Sequence, residues 1–463
     1  MIGRIVIAGT NSGAGKTTVA TGLIGALAAR GHTVQGFKVG PDYIDPSYHR
    51  LASGRPGRNL DAFLSGPELI APLFRHGSAG ADLAVIEGVM GLFDGASGRG
   101  ELASTAHVAK LLDAPVVLVV NGAAMARSAA AVIHGFATFD PDVAVKGVVF
   151  NRVGSAGHAE LLRQAAETVG VPVLGCLQRS EALAVPERHL GLVPAAERDA
   201  RNRVLLEALA AAVAEQVDLD AIIALAGSAP ASDGVTWSPE GAAPSPDRPQ
   251  PEDQPRPRQP QSHRPPPGEP VRVAVARGPA FSFHYQENLE MLAASGAELV
   301  GFDPLTDPQL PDGTRGLVLA GGFPEVYGAE LAANTTLKRE ICEFSGPILA
   351  ECGGLLYLGR ELDGHEMCGR LPLSAEMTGR LRLGYREATA ATATPWMEAG
   401  QSVRGHEFHY SDVHYDPGVT PAWQLNGRGP DGVTAGAVQA GYLHVHWAAH
   451  PEIPRRFMAA AWA

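Results

Sequence analysis

The chain has 463 residues, 45% of them hydrophobic, and a formal net charge of −12. That length carries two or three domains with full cores, and so acidic a chain lacks the basic footprint of a nucleic-acid binder. Four cysteines (Cys176, Cys342, Cys352 and Cys368) show no metal-ligand spacing and suit a reducing compartment. No apolar run approaches the roughly 18 residues that span a bilayer. The first strand begins at once, so a cytoplasmic protein without signal peptide or membrane segment is expected.

Residues 5–8 form an apolar strand, and GTNSGAGKTT (9–18) follows it. Behind the glycines Val19, Leu23, Ile24 and Leu27 recur at helical spacing. The loop therefore sits at a helix N-terminus, where free N–H groups and the helix dipole suit phosphate oxygens. Gly13 and Gly15 let the backbone wrap closely, Lys16 brings a point charge, and Thr17 offers a hydroxyl to Mg²⁺, with Thr18 beside it. The usual pattern has a glycine at position 10; here Gly9 precedes Thr10, an offset variant. ATP is the expected nucleotide. The alternative is a structural glycine turn.

RIVIAG, TVQGFKVG, LAVIEG, PVVLVVN, VKGVVFNRV and VPVLGCL then alternate with helical patterns up to residue 216. Their Val and Ile runs lack alternation, as strands buried on both faces do, which predicts an α/β domain with a parallel sheet. Ligands gather at the carboxyl ends of such strands. Lys38 follows the second strand and is placed to reach a γ-phosphate, with Asp42 and Asp45 at the next turn. Glu87 ends a buried strand, where an acid is costly unless it meets a metal or a cation. Mg²⁺ shared with Thr17 is one partner; a lysine salt bridge is the other. Asp94 and Asp45 bind metal, orient substrate, or cap turns. Asn151 reads a base amide edge or caps a turn. In VPERHLGLVP, Pro186, Glu187, Arg188, His189 and Gly191 crowd charge beside an apolar turn, suggesting an anionic ligand.

The composition breaks between residues 230 and 270, where 41 positions hold 13 of the 36 prolines. Such a segment buries too little to offset its ordering entropy. The expected domains are 1–216 and 271–463, with 217–270 a disordered linker. VRVAVARG, AELVGFDP, GLVLAGGFPE and GPILAECGG read as the buried strands of a second α/β domain.

In GPILAECGGLLYLG, Cys352 stands on a sharp turn between strand and helix, the logic of a nucleophile elbow. The helix N-terminus is expected to lower the thiol toward thiolate, and the Gly353 amide and the GGFPE loop (321–325) to stabilise an oxyanion. The base comes from GYLHVHWAAHPE: His444 ranks first, then His446, then His450 with its His-x-Glu spacing to Glu452. His444 and His446 lie two apart on a strand-like run and should face the same side.

A phosphate-loop ATPase joined to a cysteine amidohydrolase points to amidation of a carboxylate by glutamine. GTNSGAGKTT, FKVGPDYIDP, EGVMGLFDG, VPERHLGLVP, GGFPE, AECGG, RGHEFHYS and GYLHVHW, in that order, resemble the cobyrinate (or hydrogenobyrinate) a,c-diamide synthases of cobalamin biosynthesis over all but the linker. The first domain also resembles dethiobiotin synthetase, and the second is implied to be a class I-like glutamine amidotransferase fold. The resemblance implies ATP-dependent phosphorylation of two corrin acetates and displacement of phosphate by ammonia from glutamine. It implies an ATP–Mg²⁺ site at Lys16, Thr17 and Glu87, synthetase catalysis by Asp45, Glu87 and Asp94, and a Cys352–His444 pair without the third acid of the usual triad. The expected partners are the corrin and glutamine, without nucleic acid or membrane; a homodimer is allowed. Asn121, where an aspartate is expected, Gln178 for proline, and the linker are departures. Cobyric acid synthase-like amidation of other side chains and a MinD-like ATPase switch are the alternatives; the switch leaves Cys352 unexplained.

Overall fold

The computed structural model describes residues 2–180, 187–188, 191–192, 199–241, 270–394 and 396–463. It divides into two units, Met1–Trp237 and Ser238–Ala463.

The Val- and Ile-rich runs of the first unit form β1 (Gly3–Gly9), β2 (Val34–Val39), β4 (Leu83–Glu87), β5 (Val116–Asn121), β6 (Val145–Val153) and β7 (Val173–Gln178), joined by the short β3 (Arg58–Leu60). All pair in parallel, in the order β3-β2-β4-β1-β5-β6-β7. Every residue of β2 and of β4 is buried, which explains the unbroken apolar runs. Helix α1 (Lys16–Ala29) follows β1 and α2 (Ile44–Ser53) follows β2. The central β1 lies between β4 and β5, so the turns after β1, β2 and β4 meet at one carboxyl edge.

The composition starts the linker at 217, yet Leu219–Gly227 is a helix whose N-cap Asp218 accepts a bond from the Ala221 amide. Beyond it Trp237 is 4% exposed, stands edge-on to His76 at 4.8 Å, and donates its amide to the Pro72 carbonyl. Arg75 reaches the Val235 carbonyl. A buried aromatic outweighs the polar sequence around it. Residues 242–269, the centre of the expected linker, lie outside the described residues.

In the second unit β10 (Val271–Ala276), β11 (Ala297–Phe302), β12 (Thr314–Leu319) and β13 (Ile348–Glu351) are parallel, as their sequence predicts. With β20 (Val433–Ala435) and β21 (Val438–Gly441) they form the order β11-β10-β12-β13-β21-β20. The core includes Leu317, Leu319, Ile348, Leu355 and Leu373. A further sheet is new to the sequence analysis. Its spine is a long antiparallel pair, β16 (Leu373–Ala390) and β17 (Ser402–Tyr415), with β22 (His444–Val445) against β17. Among the described residues no helix is long and apolar enough to cross a membrane.

Candidate active sites

At the end of β1 the chain turns through residues 10–15 into α1, with Gly15 at φ +99°. A Cβ there would stand 1.9 Å from the Asn151 amide nitrogen, so only glycine fits. Asn151, at the β6 end, donates to the Ala14 carbonyl at 3.2 Å and accepts from the Arg152 amide. Its amide props the loop from below, a bond to the backbone that neither the base-reading nor the turn-capping expectation describes. Lys16 donates to the Met90 and Asn11 carbonyls at 2.5 and 3.2 Å. Burial, then the neighbouring Lys38, pulls its amine down to about 8.

Lys38, Asp45, Glu87, Thr17 and His49 form one buried cluster. Lys38 lies 2.6 Å from an Asp45 oxygen and 2.9 Å from Glu87 Oε1, and also donates to the Gly88 carbonyl. Thr17 Oγ1 donates to Glu87 Oε1 at 2.6 Å and lies 3.3 Å from Asp45. His49 Nε2 stands 2.7 Å from Glu87 Oε2. Burial opposes the charge on Glu87, but Lys38, then His49 and Thr17, hold its carboxyl well below the usual range. Burial, with Asp42 and Glu87 nearby, raises the Asp45 carboxyl. Lys38, expected at a γ-phosphate, here pairs with Asp45 and Glu87, the lysine partner that one reading of Glu87 expects. A fully buried carboxylate is retained because it is paired.

The hydroxyl of Thr17 with the carboxylates of Glu87 and Asp45 makes an all-oxygen donor set, the chemistry Mg²⁺ takes. No group of three or more His, Cys, Asp or Glu suited to hold a metal occurs among the described residues; Mg²⁺ keeps water and phosphate ligands and does not require one. Asp94 accepts from the Gly91 amide at 3.0 Å and caps that turn. The turn itself lies over the phosphate loop, since the Leu92 amide donates to the Gly9 carbonyl at 2.9 Å. Of VPERHLGLVP, only the two-residue strands Glu187–Arg188 and Gly191–Leu192, paired antiparallel, are described; Pro186 and His189 lie outside the described residues.

In the second unit Cys352 follows β13 at φ +47° and ψ −102°, before the short helix Gly353–Leu358. This is the strained elbow that the sequence predicts. The Cys352 amide donates to the Gly441 carbonyl at 2.7 Å, and Sγ lies 3.8 Å from the Phe408 carbonyl. The ionisation differs from expectation. Burial, then Glu325, pushes the thiol well up, and the bond from the Gly353 amide offsets only part of this. The resting group is a thiol, because a six-residue helix contributes less than desolvation costs.

His444 and His446 meet different surroundings. The strand stops at Val445, so the run is too short to keep both rings on one face. His444 is fully buried and stacks on His406, with 4.9 Å between centroids. A Cβ on Gly321 would stand 2.5 Å from His444 Cε1 and 3.3 Å from Nε2. Its neighbour Gly322 packs on Gly353, so the glycine pair lies between the imidazole edge and the elbow. His444 Nδ1 stands 3.2 Å from Glu351 Oε2. His446 instead packs at a tilt against Tyr285, with 4.8 Å between centroids, and lies 3.5 Å from Glu287. His450 lies 3.6 Å from Glu452, which also accepts from Gln401. Two β17 histidines, His406 and His409, are held neutral chiefly by burial.

Sequence reasoning missed His49 and Glu351. His49 lies four residues after Asp45, on the same face of α2, and Glu351 is an acid at the end of a buried strand, the signal that singled out Glu87.

The CobQ/CobB/MinD/ParA nucleotide binding domain family matches residues 5–193, and the CobB/CobQ-like glutamine amidotransferase domain family matches 272–452. The chain is 53% identical to hydrogenobyrinate a,c-diamide synthase of Streptomyces coelicolor, over 98% of this chain and 96% of that one. It is 50% identical to hydrogenobyrinate a,c-diamide synthase of Mycobacterium tuberculosis, over 99% and 98%. Cobyrinate a,c-diamide synthase of Gloeobacter violaceus is 43% identical, over 98% and 96%. With a nucleotide-binding unit of parallel strands, a second unit carrying a cysteine elbow, and relatives matched nearly end to end, the chain belongs to the family of hydrogenobyrinate and cobyrinate a,c-diamide synthases.

Proposed function

We propose that the chain amidates the a- and c-acetate carboxylates of hydrogenobyrinate or cobyrinate, using ATP and glutamine, in cobalamin biosynthesis. The observation that carries this is the pairing, in one chain, of a buried carboxylate–lysine–threonine cluster at a phosphate loop with a cysteine elbow beside a buried histidine. Relatives at 50–53% identity carry the hydrogenobyrinate name and those at 42–43% the cobyrinate name, so the metal-free ring is the first substrate to test.

In this reading the loop amides and Lys16 hold the triphosphate, and Lys38 keeps Glu87 charged beside it. Mg²⁺, held by Thr17, Glu87 and Asp45, would neutralise phosphate charge. A ring carboxylate oxygen attacks the γ-phosphorus, ADP leaves, and ammonia then attacks the acyl carbon and expels phosphate; Asp94 and Asp45 orient the substrate. In the other unit His444 takes the Cys352 proton only as the sulfur attacks the glutamine carboxamide, since the resting thiol is protonated. The proton passes to the departing ammonia, water releases glutamate, and the Gly353 amide and the 321–325 loop stabilise the oxyanion.

Incubating the purified chain with ATP, glutamine and either ring should convert two acids to amides, read by mass spectrometry. Amidation at other positions, or none with either ring, would contradict the reading.

A further inference from the structure

The resemblance implies a Cys–His pair without a third acid, and Glu452, the residue with His-x-Glu spacing, is engaged by His450 and Gln401. An acid nonetheless meets His444. Glu351 comes from the residue immediately before the nucleophile, and both its oxygens are used on one short stretch of chain. Oε2 stands 3.2 Å from His444 Nδ1 and Oε1 accepts from the Val445 amide at 3.3 Å. The two side chains are 13% and 1% exposed, so little water competes for the contact. We propose that Glu351 is the positioning residue of the glutaminase site, fixing the ring and tautomer of His444; this rests on the Cys352–His444 reading above.

The argument is one of proton bookkeeping. A carboxylate only accepts, so the Nδ1 facing it carries the proton and Nε2 carries the lone pair. Nε2 lies on the ring edge beside Gly321, whose neighbour Gly322 packs on Gly353 of the elbow. In that tautomer Nε2 accepts the Cys352 proton, and the carboxylate stabilises the imidazolium that forms. The anchor at Val445 fixes the carboxylate, and His406 stacked on the ring limits its rotation. A strand-end acid beside the nucleophile thus does the work that many hydrolases give to an acid elsewhere in the chain.

Glu351→Gln keeps size and shape. Its carbonyl can still accept from Val445, which turns the NH₂ toward Nδ1 and favours the opposite tautomer. Glutamine hydrolysis should lose on the order of 10²- to 10⁴-fold in kcat, with KM for glutamine within about twofold. Ammonia-dependent diamide synthesis should persist, as it should in Cys352→Ala. Hydrolysis near the parent rate in Glu351→Gln, with none in Cys352→Ala, would overturn the role of Glu351 alone. Hydrolysis surviving in Cys352→Ala would overturn the reading beneath it. Should Glu351→Gln fail to fold, ¹⁵N-histidine NMR of the parent, with His444→Ala for assignment, decides: an Nδ1–H tautomer supports the proposal, and Nε2–H overturns it.

Discussion

The two candidate sites share a frame and differ in charge. Each sits where a buried parallel strand ends, turns through glycine and enters a helix. At the phosphate loop Lys38 pairs with Glu87 and Asp45, Thr17 and His49 each reach Glu87, and the Glu87 charge is compensated in advance. At the elbow the nucleophile is a protonated thiol, His406 and His409 are neutral, and an acid touches the ring that is to gain charge. A site that receives a charged ligand must have its own charges paired before the ligand arrives. A site that develops charge during reaction needs a proton path and little else. The same turn geometry therefore serves binding in one unit and nucleophilic chemistry in the other.

The elbow half of this contrast breaks first if the wrong histidine moves the proton. His444→Ala should lower glutamine-dependent synthesis by on the order of 10²- to 10⁴-fold, and His446→Ala, whose ring faces Tyr285 and Glu287, by less than about tenfold. Steady-state rates with glutamine and with ammonium check this; the reverse ranking would move the base. On the other side, Gly15→Ala places a Cβ against Asn151 at φ +99°. Backbone strain of about 1–3 kcal/mol corresponds to roughly 5- to 150-fold weaker ATP binding, measurable by calorimetry. Unchanged affinity would show that the loop relaxes freely.

A pH titration sharpens the contrast more gently. Lys16 is lowered to about 8 in the free chain, so below that pH the ammonium is ready for the triphosphate. Above it, binding must first take up a proton, and ATP affinity should fall by up to about tenfold per pH unit. A flat Kd for a non-hydrolysable ATP analogue between pH 7 and 9.5 would remove Lys16 from phosphate binding. The smallest effect concerns the boundary of the first unit, which we propose follows Trp237. Trp237→Ala should destabilise that unit by roughly 3 kcal/mol, seen in its thermal transition, and leave the second unit's transition in place. No shift would return residues 228–237 to the linker.

Much of this was legible because buried parallel strands write themselves as unbroken Val and Ile runs, and because phosphate loops and elbows demand glycines at fixed offsets. The β16 and β17 pair escaped for the opposite reason. Residues 379–383 of β16 are exposed on both faces, so the Arg–Leu alternation at 380–383 marks no buried face, and the register slips between Met377 and Arg382. Strand β3 is three residues long, too short for any period. Trp237 was a visible signal, a large aromatic in a proline-rich stretch, but composition averages it away. At the sites, sequence supplied Lys38, Glu87, Cys352 and His444, while His49 and Glu351 carry signals, an i+4 spacing and a strand-end acid, whose partners become visible when separate strands and helices come together.

The central claim is a division of labour, and a crossed pair of variants tests it most directly. Cys352→Ala and Glu87→Gln are assayed for glutamate release and for diamide formation with glutamine and with ammonium. Cys352→Ala should lose glutamate release and glutamine-dependent product yet keep ammonia-dependent product, because the thiol serves only the glutaminase step. Glu87→Gln should lose product with either donor while retaining some glutamate release, since its Lys38–His49–Thr17 cluster lies in the other unit. Loss of ammonia-dependent product in a folded Cys352→Ala, or near-normal product in Glu87→Gln, would contradict the account.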